Sequence, residues 1–321
     1  MRLRSIISFF FLLSIAAATA YAGDDAEILL LNSSRSVEKY RVVQEEFKDS
    51  ISHRVSAYMI DGYDGEISDL YRTISRGSHR LIYCIGTKAY LAAMDHAPEK
   101  MILFSSINNW RRLPQGDGVY GISNELHPAM HLMHYKNIFP NIRKIGVLYS
   151  KEFNEQWIAL AREAGPKAGV AIISKDVPDI DLTNEALETL LPEIDALWLI
   201  ADPIIISSRK NLIHVIQVCD QHKIPVFSYN SAYGALGATL VVAVDDSTIG
   251  RQAAVMSEDL LAGRPLSRNV QYPAGSHITV NLDKVRAFGI SYNHGALETV
   301  NTIVDSAVTA NDPHRKKGSS D

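Results

Sequence analysis

The sequence predicts an α/β fold in two lobes, each a mostly parallel sheet flanked by helices. Three observations carry that expectation. Strand-like and helix-like segments alternate almost without break along 321 residues. The strand-like segments are continuous apolar runs instead of alternating ones, as in strands covered on both faces. Two stretches also repeat one plan: apolar strand, polar turn, helix, second apolar strand ending in polar residues. The first runs from Arg80-Leu81-Ile82-Tyr83-Cys84-Ile85-Gly86-Thr87-Lys88 to Met101-Ile102-Leu103-Phe104-Ser105-Ser106-Ile107-Asn108. The second runs from Asp195-Ala196-Leu197-Trp198-Leu199-Ile200-Ala201-Asp202 to Ile224-Pro225-Val226-Phe227-Ser228-Tyr229-Asn230. Each is a parallel βαβ unit, and ligands of such sheets sit beyond the carboxyl ends of the strands.

The elements follow in order. Strands are expected at 27–32, 54–60, 80–85, 101–106 and 118–122, then at 144–149, 170–175, 196–201, 225–229, 239–244 and 277–281. Helices are expected at 37–52, 66–76, 88–97, 128–139, 151–168, 182–191, 207–222, 247–262 and 294–310. Pro128 suits a first helical turn, and Gly263-Arg264-Pro265 ends a later helix. The natural break falls between Ser123 and Lys144, with no low-complexity linker, so several crossing strands should form a hinge.

The N-terminus reads as an address. Arg2 and Arg4 precede an apolar run from Ile6 to Ala18, and Ala20-Tyr21-Ala22 is a small-x-small cleavage pattern. A signal peptide over 1–22 and an exported chain starting near Gly23 are expected, in the periplasm; the run is short for a bilayer span. Losing Arg2 and Arg4 takes the net charge from −4 to −6. That acidity, with Arg315-Lys316-Lys317 as the one basic stretch, argues against a nucleic-acid partner. The tail over 311–321 is expected to be disordered. Cys84 falls in a strand of one unit and Cys219 in a helix of the other, so two buried free thiols are expected instead of a disulfide.

Candidate binding groups cluster at the strand ends. Gly86 permits a tight turn and Thr87 can cap the next helix, whose N-terminus, with Lys88 beside it, suits a carboxylate. Ser33, Ser34, Ser105, Ser106 and Asn108 share that edge; Tyr149, Ser150, Asp202, Tyr229 and Asn230 take equivalent places in the second half, with Asp245 after a further strand. Asp202, ahead of Pro203, reads either as a counter-charge for a ligand ammonium or as a turn residue. Tyr149, Tyr229, Tyr233 and Trp110 read as ligand-stacking groups or as packing. His127, His131 and His134 recur at helical spacing, with Met130 and Met133 among them; a metal site there is the weaker reading, because no carboxylate in the stretch completes it. No G-x-S-x-G elbow, phosphate-binding loop, dinucleotide fingerprint or H-E-x-x-H motif is present, and no nucleophile has an evident base. An enzyme is not expected, nor a cofactor.

Several segments resemble the periplasmic solute-binding proteins of the ABC transporter substrate-binding family that includes tryptophan- and tyrosine-type binders. They are 81–89, Ile142-Arg143-Lys144-Ile145-Gly146-Val147-Leu148-Tyr149, Asp195-Ala196-Leu197-Trp198, 223–227, 244–254 and Thr279-Val280-Asn281-Leu282-Asp283-Lys284-Val285 with Phe288-Gly289-Ile290. The resemblance implies a two-lobed periplasmic-binding fold (type I, Venus-flytrap) that closes on a small amino-acid-like molecule. It implies that Thr87 takes a ligand carboxylate and that Asp202 is a polar strand-end contact. Asn230 stands where many members have Asp, and Asn108-Asn109-Trp110 where members often have Asp-Pro-Val, so a partner for a ligand ammonium is removed. Lobe 1 is expected over 23–124 with about 245–272 returning to it, and lobe 2 over 125–244 with about 273–300. The expected partner is an ABC permease of the inner membrane; the alternative output is a ligand-sensing subunit that signals to a membrane kinase or cyclase.

Overall fold

The computed structural model describes residues 27–307. The expected signal peptide and the expected tail over 311–321 lie outside the described residues. The elements run β1 (Ile28–Asn32), α1 (Glu38–Ser50), β2 (Val55–Met59), α2 (Ile67–Arg76), β3 (Leu81–Ile85), α3 (Thr87–His96), β4 (Met101–Ile107) and β5 (Val119–Ser123). They continue α4 (Pro128–Ile138), β6 (Lys144–Tyr149), α5 (Lys151–Lys167), β7 (Ala171–Asp176), α6 (Thr183–Leu190), β8 (Ala196–Leu199), α7 (Arg209–Gln221) and β9 (Val226–Ser228). The last are β10 (Leu240–Val244), α8 (Asp246–Leu261), β11 (Val270–Gln271), β12 (Ser276–Asn281), α9 (Leu282–Phe288) and β13 (Thr302–Val304).

Two sheets result. The first has the order β11-β5-β4-β3-β1-β2, with every neighbouring pair parallel. The second has the order β13-β12-β10-β9-β8-β6-β7 and is parallel except between β10 and β12. Each sheet carries an apolar cluster on both faces. Leu29, Leu31 and Ile82 pack against α2 and α3, while Leu30, Tyr83 and Leu103 pack against α1 and α8. Both faces of β1 and β3 are buried, which is why these strands read as unbroken apolar runs. Each lobe is therefore a mostly parallel sheet between helices.

The chain passes between the sheets three times: from β5 to α4, from β10 to α8, and from β11 to β12. Val244, at the second passage, packs against the cores of both lobes.

Two expectations fail near the C-terminus. The helix expected over 294–310 is a short 3₁₀ turn, His294–Thr299, followed by β13. Asn301 exchanges hydrogen bonds with Ile278, its N–H donating at 3.0 Å and its Oδ1 accepting at 2.7 Å, which draws the β-branched Thr302-Ile303-Val304 alongside β12. Helix α9 is not expected from the sequence, being only seven residues long. Asn281 caps it by accepting from Lys284 N–H at 3.0 Å, and Gly289 ends it at φ 69°, a left-handed conformation that suits glycine.

Candidate functional site

The lobes meet along the carboxyl ends of their strands, where several cavities adjoin. One, of about 430 Å³ with its open mouth included, is lined by Lys39, Asn108, Asn124, Tyr229, Asn230, Ser231 and Asp246 together with Ala243 and Val244. A second, apolar recess shares Asn124, Tyr229 and Val244 with it and runs between His131, Trp157 and Trp198. A third lies between Arg111 and Arg112 of the first lobe and the start of α5 in the second.

The polar groups of the first cavity come from both lobes and from a passage between them. Asn108 follows β4, and Asn124, in the β5–α4 passage, donates from Nδ2 to its Oδ1 at 2.6 Å. Asn230 follows β9; its Oδ1 accepts from Ala232 N–H at 3.1 Å, and its side chain borders the cavity beside Tyr229. Lys39 stands in the first turn of α1, and Asp246 is the first residue of α8. Next door, Asn109 N–H donates to Glu125 Oε1 at 2.9 Å, and Asn109 Nδ2 donates across the cleft to the Ala201 carbonyl at 3.3 Å. The Arg112 guanidinium lies 4.1 Å from the centroid of the Phe153 ring, a second direct link between lobes.

Lys39 and Asp246 carry the electrostatics. Burial pushes the Asp246 carboxyl up to about 6; Lys39 opposes the shift, Asp245 adds to it and His277 opposes it. Burial likewise holds the Lys39 ammonium below its usual range, against the pull of Asp246. A contact ion pair would move both the other way. Among the described residues neither side chain makes a hydrogen bond or ion pair; Lys39 Nζ lies 5.4 Å from the Tyr40 ring. Two opposite, half-buried charges thus border one cavity without satisfying each other.

The structure sorts the residues singled out from the sequence. Asn108, Tyr229 and Asn230 line the first cavity. Asp202 is a correction: it is fully buried, and its oxygens accept five hydrogen bonds. Ser150 N–H (2.6 Å), Ser150 Oγ (2.8 Å) and Asn154 Nδ2 (2.7 Å) reach Oδ2; Ile204 N–H (2.9 Å) and Ile205 N–H (3.1 Å) reach Oδ1. With both oxygens occupied it has no lone pair to offer a ligand ammonium. Tyr149 is also a correction, being buried in the second lobe with its hydroxyl donating to Glu155 Oε2 at 3.2 Å. Asp245 caps α8, accepting from Ser247 N–H at 3.3 Å and from the Thr248 hydroxyl. Its neighbour Asp246 lines the cleft in its place.

In the first lobe, Thr87 does not cap α3. Gly86 is the cap residue, at φ 84°, and Thr87 opens the helix. Added bulk at Gly86 would meet Ser33 Oγ at 2.7 Å and the Tyr40 ring at 2.8 Å. Ser33 Oγ instead accepts from Ala89 N–H at 3.0 Å and so braces the helix start from β1. Ser34 bonds locally, its N–H to Asn32 Oδ1 at 3.0 Å and its hydroxyl to Ser36 at 3.0 Å. Lys88 is exposed and paired with Asp61 at 2.7 Å. Ser106 sits at a register shift in β4 at φ 59°, buried, and its hydroxyl has no partner among the described residues.

The three histidines diverge. His127 caps α4 by accepting from Ala129 N–H at 3.1 Å, and His134 shares a hydrogen bond with Ser276 Oγ at 3.2 Å. His131 is buried against Trp198 and shares a hydrogen bond with the Tyr135 hydroxyl at 3.2 Å; burial, and then the nearby His134, push its imidazole down to about 3. Among the described residues no group of three or more potential ligands could hold a metal ion. Cys84 and Cys219 are buried free thiols, and burial raises both.

The fold is a two-lobed α/β architecture with a polar cleft at the strand ends. The chain belongs to the family of ABC transporter substrate binding proteins, whose pattern matches residues 55–303, and the family is one of non-catalytic binders. A curated relative, the tyrosine-binding protein of Clostridioides difficile (strain R20291), is 25% identical over 193 residues, 57% of this chain. The chain spans about half of that relative, 55% of its length. The fold also matches the ligand-free, open structure of a substrate binding protein with adhesive properties from Clostridium difficile (TM-score 0.67, 18% identity, covering 88% of this chain and 100% of that one). It matches an ABC domain in complex with L-Trp from Streptococcus pneumonia as well (TM-score 0.57, 17% identity, 86% and 100%). Among the described residues no helix is long and apolar enough to cross a membrane.

Proposed function

We propose that this chain is an exported receptor of an ABC-type uptake system that captures a small amino-acid-like solute in the interlobe cleft. The observation that carries the reading is the convergence of Asn108, Asn124, Asn230 and Ser231 on one cavity from both lobes and the passage between them. A solute touching both walls stabilises the closed arrangement over the open one, and this difference in contacts does the work of closure. The three passages between sheets serve as the hinge, dividing lobe 1 (23–124 and about 245–272) from lobe 2 (125–244 and about 273–300). The amino-acid class is supported by the relatives that bind tyrosine and L-Trp. Export is supported by the Arg2 to Ala22 segment, with cleavage before Gly23 and release into the periplasm, where a permease of the inner membrane would receive the closed form.

The test is calorimetry and thermal-shift measurement with the standard L-amino acids on the mature chain, paired with small-angle scattering. A ligand that raises the melting temperature, shrinks the radius of gyration and loses affinity in Asn230→Leu supports the reading. Binding that is unaffected by Asn230→Leu and Asn124→Leu moves the site elsewhere.

A further inference from the structure

We propose that Asp246 and Lys39 are the two charge-reading groups of this cleft, Asp246 taking a ligand ammonium and Lys39 a ligand carboxylate, so that the receptor selects zwitterions. The inference rests on the receptor reading above and assigns residues and a charge pattern to it.

Among the nine residues lining the first cavity, one is a carboxylate and one an ammonium; the polar side chains around them are amides and hydroxyls. Both charges are half-buried, and among the described residues neither makes a hydrogen bond or a contact ion pair; each feels the other only as a counter-charge at longer range. A charge held partly out of water without a contact partner is costly, and a ligand that supplies the missing contact offsets that cost. The contrast with other charges nearby is sharp. Lys88 is paired with Asp61, Asp245 with its own helix, Glu125 with Asn109 N–H and Arg111. Asp246 and Lys39 stand on different helices, α8 and α1, which pack together in the first lobe, so their separation is fixed by a rigid contact. A zwitterion laid along this wall meets an anion and a cation, while Asn230 and Ser231 line the cavity from the second lobe. The amide of Asn230 cannot supply the negative charge an ammonium needs, and Asp246, beside it in the cavity, can.

The groups facing Asp246 are Lys39 from α1, Asp245 on its own helix and His277 from β12. Its carboxyl, pushed up to about 6 by burial, takes up a proton as pH falls through that value, so ammonium recognition weakens there.

The probes are L-tyrosine and L-tryptophan, their des-amino acids, and the decarboxylated amines tyramine and tryptamine. Calorimetry is run on wild type, Asp246→Asn and Lys39→Gln, each checked for an unchanged melting temperature. The expected result is a crossover. Asp246→Asn weakens the amino acids and amines about tenfold or more and spares the des-amino acids; Lys39→Gln weakens the amino acids and des-amino acids and spares the amines. Wild-type affinity for the amino acids falls between pH 7 and 5, and Asp246→Asn lacks that fall. If neither substitution changes any affinity, the receptor reading stands and this assignment is overturned. If wild type binds none of the six probes or any other standard amino acid, the amino-acid reading of the cleft falls, and the assignment falls with it.

Discussion

Asp202 and Asp246 both lie just past the carboxyl end of a strand, β8 and β10, and both border the gap between lobes in sequence logic. Their surroundings are opposite. Asp202 is fully buried with five donors on its two oxygens, three of them backbone N–H groups. Asp246 is half-buried, and among the described residues its oxygens accept no hydrogen bond. A carboxylate whose lone pairs are all used internally is a part of the scaffold: it ties the turn after β8 to the start of α5. A carboxylate that is desolvated and unsatisfied has binding capacity left over. The chemistry of a side chain does not say which it is; the count of donors around it does.

The largest expected effect tests the scaffold half of that contrast. Asp202→Ala strands the N–H groups of Ser150, Ile204 and Ile205 and the amide of Asn154, and should cost about 3–5 kcal/mol in urea unfolding. Asp246→Asn should stay within about 1 kcal/mol of wild type, because lost favour at the helix N-terminus and relieved desolvation oppose each other. Equal losses would erase the distinction.

A second test concerns another buried titrating group. His131 in the folded chain takes a proton only near 3, against 6.5 when unperturbed. Between those values the unfolded chain binds the proton and the folded one does not, so stability falls as pH falls. The slope is roughly 1.4 kcal/mol per pH unit from this group alone. In His131→Leu, urea titrations at pH 7 and pH 5 should differ by about 2 kcal/mol less than in wild type. An identical pH dependence would place a charged imidazole in the core and contradict the burial.

Smaller effects probe the contacts that hold the lobes together and the strained turn beside them. Arg112→Ala removes the guanidinium from the Phe153 ring and should weaken ligand binding about threefold, with a larger radius of gyration in scattering. An unchanged affinity would show that the Arg112–Phe153 contact plays no part in closure. Ser106→Gly relieves a left-handed φ of 59° and removes an unpartnered buried hydroxyl. It should raise stability by about 0.5 kcal/mol, and a loss would mean that the hydroxyl has found a partner.

Much of the fold was legible in the chain because burial on both faces writes itself as an apolar run. Residues 28–31, 81–85 and 102–104 have no other use for that composition. β13 and α9 were not legible, being too short for their own periodicity and held by contacts with β12 and the Asn281 cap. The lining of the candidate cavity was legible in outline. Polar strand ends pointed to Asn108, Tyr229 and Asn230, but the same signal also selected Tyr149 and Asp202, which turn inward. Asp245 and Asp246 are adjacent and chemically identical; the first closes the helix start and the second, one residue on, borders the cleft. Lys39 and Asn124 carried no signal, since one lies in the first turn of a helix and the other in a passage between sheets.

The sequence by itself determined two mostly parallel sheets, the order of most of their strands and helices along the chain, and the edge on which polar groups gather, because these follow from local periodicity and from burial averaged over several residues. Tertiary structure decided which of those groups are spent on holding the turns and which border the cleft. That choice depends on donors arriving from strands and helices distant in the chain, and on the meeting of two lobes that no local pattern records.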